Sequence, residues 1–131
     1  MRITAKSFTL GLVLLGLSHI ASAEDAHLTK QYSICMDKAG GVTVNMLDCM
    51  GAETKHQDAR LNQAYKDVMA RLSPERKKQL QEAQRAWIRY RDANCGFYAA
   101  PDGGTLATVN GNDCFMSATA ARAKELEGFK Q

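Results

Sequence analysis

The sequence predicts an all-α fold. The reading is a small helical bundle built on a long antiparallel helical hairpin (about 44–72 and 74–95), with a short N-terminal helix, a 97–112 loop and a C-terminal helix, stapled by two disulfides. Two stripes and the turn between them carry this. Leu47, Met50, Thr54, Asp58, Leu61, Tyr65, Val68 and Leu72 recur at spacings of 3, 4, 4, 3, 4, 3 and 4, the period of one helix face. Leu80, Gln84, Trp87 and Arg91 follow at 4, 3 and 4, and Cys95 extends the line by one turn. Between them, Ser73-Pro74-Glu75 is a helix start: an N-cap, a proline at the first position and an acid in the first turn.

Polar residues interrupt both stripes. On an inward face they need partners or they cost stability. In an antiparallel hairpin turning near Pro74, paired residue numbers have a constant sum, so Val68 faces Leu80, Tyr65 faces Gln84, Leu61 faces Trp87 and Asp58 faces Arg91. A structural polar core of Asp58, Tyr65, Gln84, Trp87 and Arg91 follows, with a partly buried Asp58–Arg91 ion pair and a Tyr65–Gln84 hydrogen bond.

In chain order, residues 1–23 read as a secretory signal: basic Arg2 and Lys6, an apolar run from Phe8 to Leu17 too short to span a bilayer, and the cleavage signal Ala21-Ser22-Ala23. Residues 24–131 then form one domain, periplasmic or secreted. It has no membrane span, and no cysteine follows the cleavage site to hold a lipid anchor. Loss of Arg2 and Lys6 leaves 15 Lys and Arg against 14 Asp and Glu, a net charge of +1. That balance argues against a nucleic-acid binder. The oligomeric state is open.

A short helix is expected over Leu28–Ala39, ended by Gly40-Gly41. Thr43 is placed as the cap of the long helix. Gly51 inside that helix costs about 1 kcal/mol relative to Ala and marks a kink or a close approach of the first helix. The 97–112 segment carries turn chemistry in Ala99-Ala100-Pro101-Asp102-Gly103-Gly104-Thr105 and in Asn110-Gly111-Asn112. It is long for a loop, and such loops are usually functional or mobile. Phe97 is read chiefly as an aromatic packed on the bundle, while Tyr98 is balanced between packing and contact. Asn112 or Asp113 caps a last helix over Cys114 to about Gly128, with Phe115, Thr119, Arg122 and Leu126 on one side and Met116, Ala120 and Ala123 beside them.

Four cysteines in a short exported chain read as two disulfides. Three pairings are open. The local one, Cys35–Cys49 with Cys95–Cys114, is favoured because it closes short loops. Cys49–Cys95 is its rival, because the hairpin brings those residues to one end. The chain has no Cys-x-x-Cys, and His27 and His56 lack ligand-like spacing to the cysteines, so neither metal nor cofactor is expected.

The pattern Cys35 … Thr43-x-x-Met46-x-x-Cys49 … Asp58-x-x-Leu61-Asn62-x-x-Tyr65 … Leu80-x-x-Ala83-Gln84-x-x-Trp87-x-x-Tyr90-Arg91-Asp92-x-x-Cys95 … Gly103-Gly104-Thr105 … Cys114 … Thr119-x-x-Arg122-x-x-x-Leu126 resembles the lysozyme inhibitor LprI-like N-terminal domain family. It covers nearly all of the mature chain. The resemblance implies an exported, disulfide-bearing helical domain of the bacterial envelope, with lysozyme inhibition as its activity and a lysozyme as its partner.

The residues themselves point to no catalytic group. Asp58 and Arg91 read as a core pair before a catalytic one, Trp87 as core before a sugar platform, and Asn62 and Asp92 as braces for neighbouring segments. His56 and Asp58, two apart on a helix, point to different faces. Arg76-Lys77-Lys78 reads as a solvated patch. The expected function is a binding module that blocks a lysozyme through the 97–112 loop, with Tyr98, Asp102, Asn110, Asn112 and Asp113 as binding residues. The alternative is an envelope scaffold without lysozyme activity. A glycan-acting enzyme would need two accessible carboxylates around a cleft, and Asp102 and Asp113 are the only loop acids.

Overall fold

The computed structural model describes residues 28–129. The expected signal segment lies outside these described residues. The described chain is all-α: α1 (Lys30–Ala39), α2 (Thr43–Arg71), α3 (Pro74–Tyr98), a 3-10 turn (Pro101–Gly103) and α4 (Gly104–Glu127).

Local chemistry sets most helix ends. The Thr29 hydroxyl accepts from the Tyr32 backbone N–H at 3.1 Å and starts α1. Gly40 ends it at φ 57°, and Gly41 follows at φ 79°, both in the left-handed region that suits glycine. The Ser73 hydroxyl accepts from the Arg76 N–H at 3.4 Å, with Pro74 at the first position of α3. Thr43, expected as a cap, is instead the first residue of α2; the cap position is Val42, with no side-chain hydrogen bond.

The largest change from expectation lies in 97–112. Only Ala99 to Gly103 leaves α-helical geometry; α3 runs through Tyr98 and α4 starts at Gly104. Asn112 and Asp113 are therefore mid-helix, not caps. The turn-forming residues have other uses here. A Cβ on Gly111 would lie 2.5 Å from the Ala99 Cβ, so glycine allows α4 to pass the end of α3 closely. The Asn112 side chain donates to the Thr108 carbonyl at 2.9 Å, one turn back along α4.

α2 packs along α4, α1 packs on α2, and α3 packs on α4. The apolar core is Leu61, Ala64, Val68, Leu72, Ala123 and Leu126, with Tyr65, Leu80, Trp87 and Phe129 packed against it. Leu61 and Trp87 thus share one cluster, as do Val68 and Leu80. Gly51 faces solvent, and nothing lies within 4 Å of where its Cβ would be. No close approach of α1 explains it.

The polar matching of the hairpin is not observed. Asp58 is exposed, and its carboxylate accepts from Asn62 at 3.1 Å. Arg91 is 9% exposed and turns to α4: its guanidinium lies 3.8 Å from the Phe115 ring centre and 4.9 Å from that of Trp87. It donates to Asp92 at 2.9 Å and to the Thr119 hydroxyl at 3.4 Å. Gln84 accepts from Arg122 at 3.0 Å rather than pairing with Tyr65. The reason is topological. The partner of the α3 stripe is α4, so Thr119 and Arg122 meet the polar positions that α2 was expected to meet.

Candidate functional site

The exposed tip is built where α3 ends and α4 begins. Phe97 is 79% exposed, Tyr98 50% and Leu106 67%. The Phe97 and Tyr98 rings meet edge to face, with centroids 5.7 Å apart and planes at 72°. The expectation that Phe97 packs on the bundle is overturned: α3 meets α4 through Cys95 and Ala99, and Phe97 between them lies on the outer side of the helix.

Two restraints hold the tip. Cys95 pairs with Cys114 across a Cα–Cα distance of 5.4 Å, two residues before Phe97. The Arg91 guanidinium, layered between Trp87 and Phe115, fixes α3 to α4 one turn earlier. Such stacking is worth roughly 2 kcal/mol or more where water is excluded. Beside the tip lies a shallow depression of about 310 Å³ lined by residues including Asp92, Cys95, Ala99, Asn112 and Phe115.

The five expected binding residues do not form one site. Tyr98 and the exposed Asp102 belong to the tip, and Asn112 borders the depression. Asn110 is exposed in mid-helix. Asp113 lines a separate groove of about 470 Å³ with Tyr32, Ser33, Asp37 and Ser117. The two acids considered as a glycosidase pair therefore sit on different surfaces. Sequence reasoning passed over Leu106. Its neighbours Gly104 and Thr105 gave the segment a turn-like look, although one helical turn onward Val109 and Asn110 already belong to α4.

The other disulfide, Cys35–Cys49, ties α1 to α2 with a Cα–Cα distance of 5.7 Å. Glu53 completes the attachment. Its carboxylate accepts from the Thr29 hydroxyl at 2.6 Å, the Thr29 N–H at 2.9 Å and the Gln57 amide at 2.6 Å. Burial raises its carboxyl, but these hydrogen bonds and the nearby His56 outweigh that, and it is held below the usual range. Burial, then the charges of Asp113 and Glu53, push the Tyr32 phenol above its ordinary value. In the middle of α2, Arg60 donates through Nε to Glu127 at 2.6 Å. No helix among the described residues is long and apolar enough to cross a membrane.

The family model described as "Lysozyme inhibitor LprI" matches residues 35–126, from the first disulfide cysteine to the last core leucine. The chain belongs to the LprI lysozyme inhibitor family. That span contains both disulfides, the Arg91 layer and the whole tip. An uncharacterized protein of Rhizobium meliloti (strain 1021) is 32% identical over 95 residues, covering 60% of this chain and 67% of the relative. No solved structure matches significantly. Family membership implies inhibition of a lysozyme rather than an enzymatic activity. Two disulfides fit a protein that works outside the reducing cytoplasm.

Proposed function

We propose that the chain is an exported lysozyme inhibitor that acts by protein–protein contact, presenting the α3–α4 tip to the substrate cleft of the enzyme. Residues 1–23 serve as the cleaved signal, with cleavage after Ala23, and the mature protein works in the periplasm or the medium. The observation that carries the reading is the Phe97–Tyr98 ring pair, 79% and 50% exposed on a disulfide-stapled turn. Aromatic anchors dominate interface energetics, and a staple lowers the ordering cost of inserting them into a concave site. Asp102, exposed on the same turn, adds a negative charge suited to a basic enzyme.

The test is residual lysozyme activity against increasing oxidised protein spanning 24–131, with animal-type and goose-type enzymes in parallel. Dose-dependent inhibition is expected, weakened roughly 30-fold by Phe97→Ala or Tyr98→Ala, a hot-spot-sized loss. Ala121→Arg, exposed toward the other end of α4, should leave it unchanged. No inhibition of either class at micromolar excess, with circular dichroism showing a helical protein, overturns the reading. Inhibition that survives both aromatic substitutions moves the contact elsewhere.

A further inference from the structure

Helix α3 carries a second stripe, on the side turned away from the core. Ala86, Tyr90, Ala93 and Phe97 follow at spacings of 4, 3 and 4, so they share one face. All four are exposed, Tyr90 at 66% and Phe97 at 79%. The four carry no charge. The contact of α3 with α4 uses the other face, through Gln84, Arg91 and Cys95. Aromatic enrichment with charge depletion marks the centre of protein interfaces rather than ordinary surface.

The order of sizes along the stripe selects the occupant. It reads small, large, small, large. Laid parallel on itself, each ring would meet a ring. Laid antiparallel about a two-fold axis between Arg91 and Asp92, Ala86 faces Phe97 and Tyr90 faces Ala93, so each ring meets an alanine. One axis satisfies all four positions, the self-complementarity that a two-fold contact demands.

We propose that two copies of this chain associate through this face, as an antiparallel α3–α3 contact in which Tyr90 and Phe97 of each copy seat on Ala93 and Ala86 of the other. A fully buried aromatic side chain covers roughly 150–250 Å², so four partly covered rings fall short of the ~1,200 Å² of a stable interface. The dimer is therefore weak and concentration-dependent. It shares Phe97 with the lysozyme contact proposed above, so the dimer and a bound lysozyme exclude each other at that ring.

Sedimentation of the oxidised protein spanning 24–131 from about 10 μM to about 1 mM tests this, the range in which small interfaces associate. The average mass should rise toward twice the monomer. Ala93→Arg puts a charge where Tyr90 must seat, and should weaken association at least ~10-fold, as should Tyr90→Ala. Ala121→Arg, an exposed position on α4, should leave the curve unchanged. Circular dichroism confirms that each variant is helical. A monomer up to about 1 mM overturns the proposal, and so does a dimer that survives both Ala93→Arg and Tyr90→Ala. Lysozyme does not enter the readout, so loss of the inhibitor reading leaves this result standing.

Discussion

The two ends of the bundle are held by different means. Around the α2–α3 connection, Leu61, Ala64, Val68, Leu72, Ala123 and Leu126 form an apolar cluster, closed by Leu80, Trp87 and Phe129. Toward the other end the buried side chains mix apolar Met50, Ala107 and Met116 with Cys49, Glu53, Gln57, Arg91, Cys95 and Thr119. There the links are two disulfides, the Glu53–Thr29 bonds and the Arg91 layer. Of the exposed large hydrophobics, Val42, Val44, Phe97, Tyr98 and Leu106 belong to this second end, while Ile88 and Tyr90 lie along the middle of α3. This end buries methionine and alanine but keeps its rings on the surface, and covalent and charged links add to its hold. Function and stability then rest on different residues. The end that stabilises by burial can present polar surface, and the stapled end can present rings.

Trp87 breaks this division, because it touches both systems. It packs on the apolar cluster and lies 4.9 Å from the Arg91 guanidinium. Trp87→Ala should cost about 3–5 kcal/mol, the largest single effect, in a denaturant melt followed by far-ultraviolet circular dichroism. It should also lower hydrogen-exchange protection at both ends. Loss of protection at one end alone would place Trp87 in only one system.

Removing a staple sharpens the comparison. Cys95→Ala with Cys114→Ala should cost about 3 kcal/mol in the chain-entropy model, and the same holds for Cys35→Ala with Cys49→Ala. The losses should be local. Hydrogen exchange should accelerate in the residues around the removed bridge before it does so in Leu61 to Leu72. Uniform acceleration along the chain would mean that the two ends unfold as one unit.

Much of this was legible in the sequence, and the failures share a cause. The helical periods, the Ser73-Pro74 start and the Gly40 stop are local, and local chemistry fixed them. The favoured disulfides are local too, and they are the ones observed. Register between helices is not local. Gln84 and Arg91 needed polar partners, and both Asp58 on α2 and the Thr119–Arg122 face of α4 could supply them. The sequence reading took the nearer helix in the chain, and the fold uses α4. The 97–112 segment failed similarly. Asn110-Gly111-Asn112 has turn chemistry until Ala99 is brought against it, and then glycine is needed for close packing.

The polar positions give the next test, smaller in size. Glu53→Gln should cost about 2 kcal/mol, since three hydrogen bonds to a charged acceptor are weakened. Asp58→Asn should stay within about 0.5 kcal/mol, because Asp58 is exposed. The pH dependence carries a definite sign. The folded Glu53 carboxyl is held below its unfolded value, so the folded state favours the ionised form. Its contribution is complete above the unfolded carboxyl range and is lost as pH falls through the lower folded value. Melts of wild type and Glu53→Gln should therefore differ most near neutral pH and converge in acid. A gap that widens in acid would reverse the assignment.

Two glycines give the smallest and most discriminating effect. Gly51 and Gly111 both sit inside helices, where glycine costs about 1 kcal/mol relative to alanine. Their surroundings differ. An added Cβ at Gly51 meets nothing within 4 Å, while at Gly111 it would stand 2.5 Å from the Ala99 Cβ and 3.2 Å from its Cα. Gly51→Ala should therefore stabilise by about 1 kcal/mol with no other change. At Gly111 the same gain is set against an overpacking cost of about 1–3 kcal/mol, so Gly111→Ala should be net destabilising by about 1 kcal/mol. Because that clash pushes the end of α3 away from α4, Gly111→Ala should also disturb the position of Phe97 and Tyr98, and Gly51→Ala should not. Equal stabilisation by both substitutions would mean that the end of α3 yields freely, and a tip that yields freely is a poor anchor for the rings it carries.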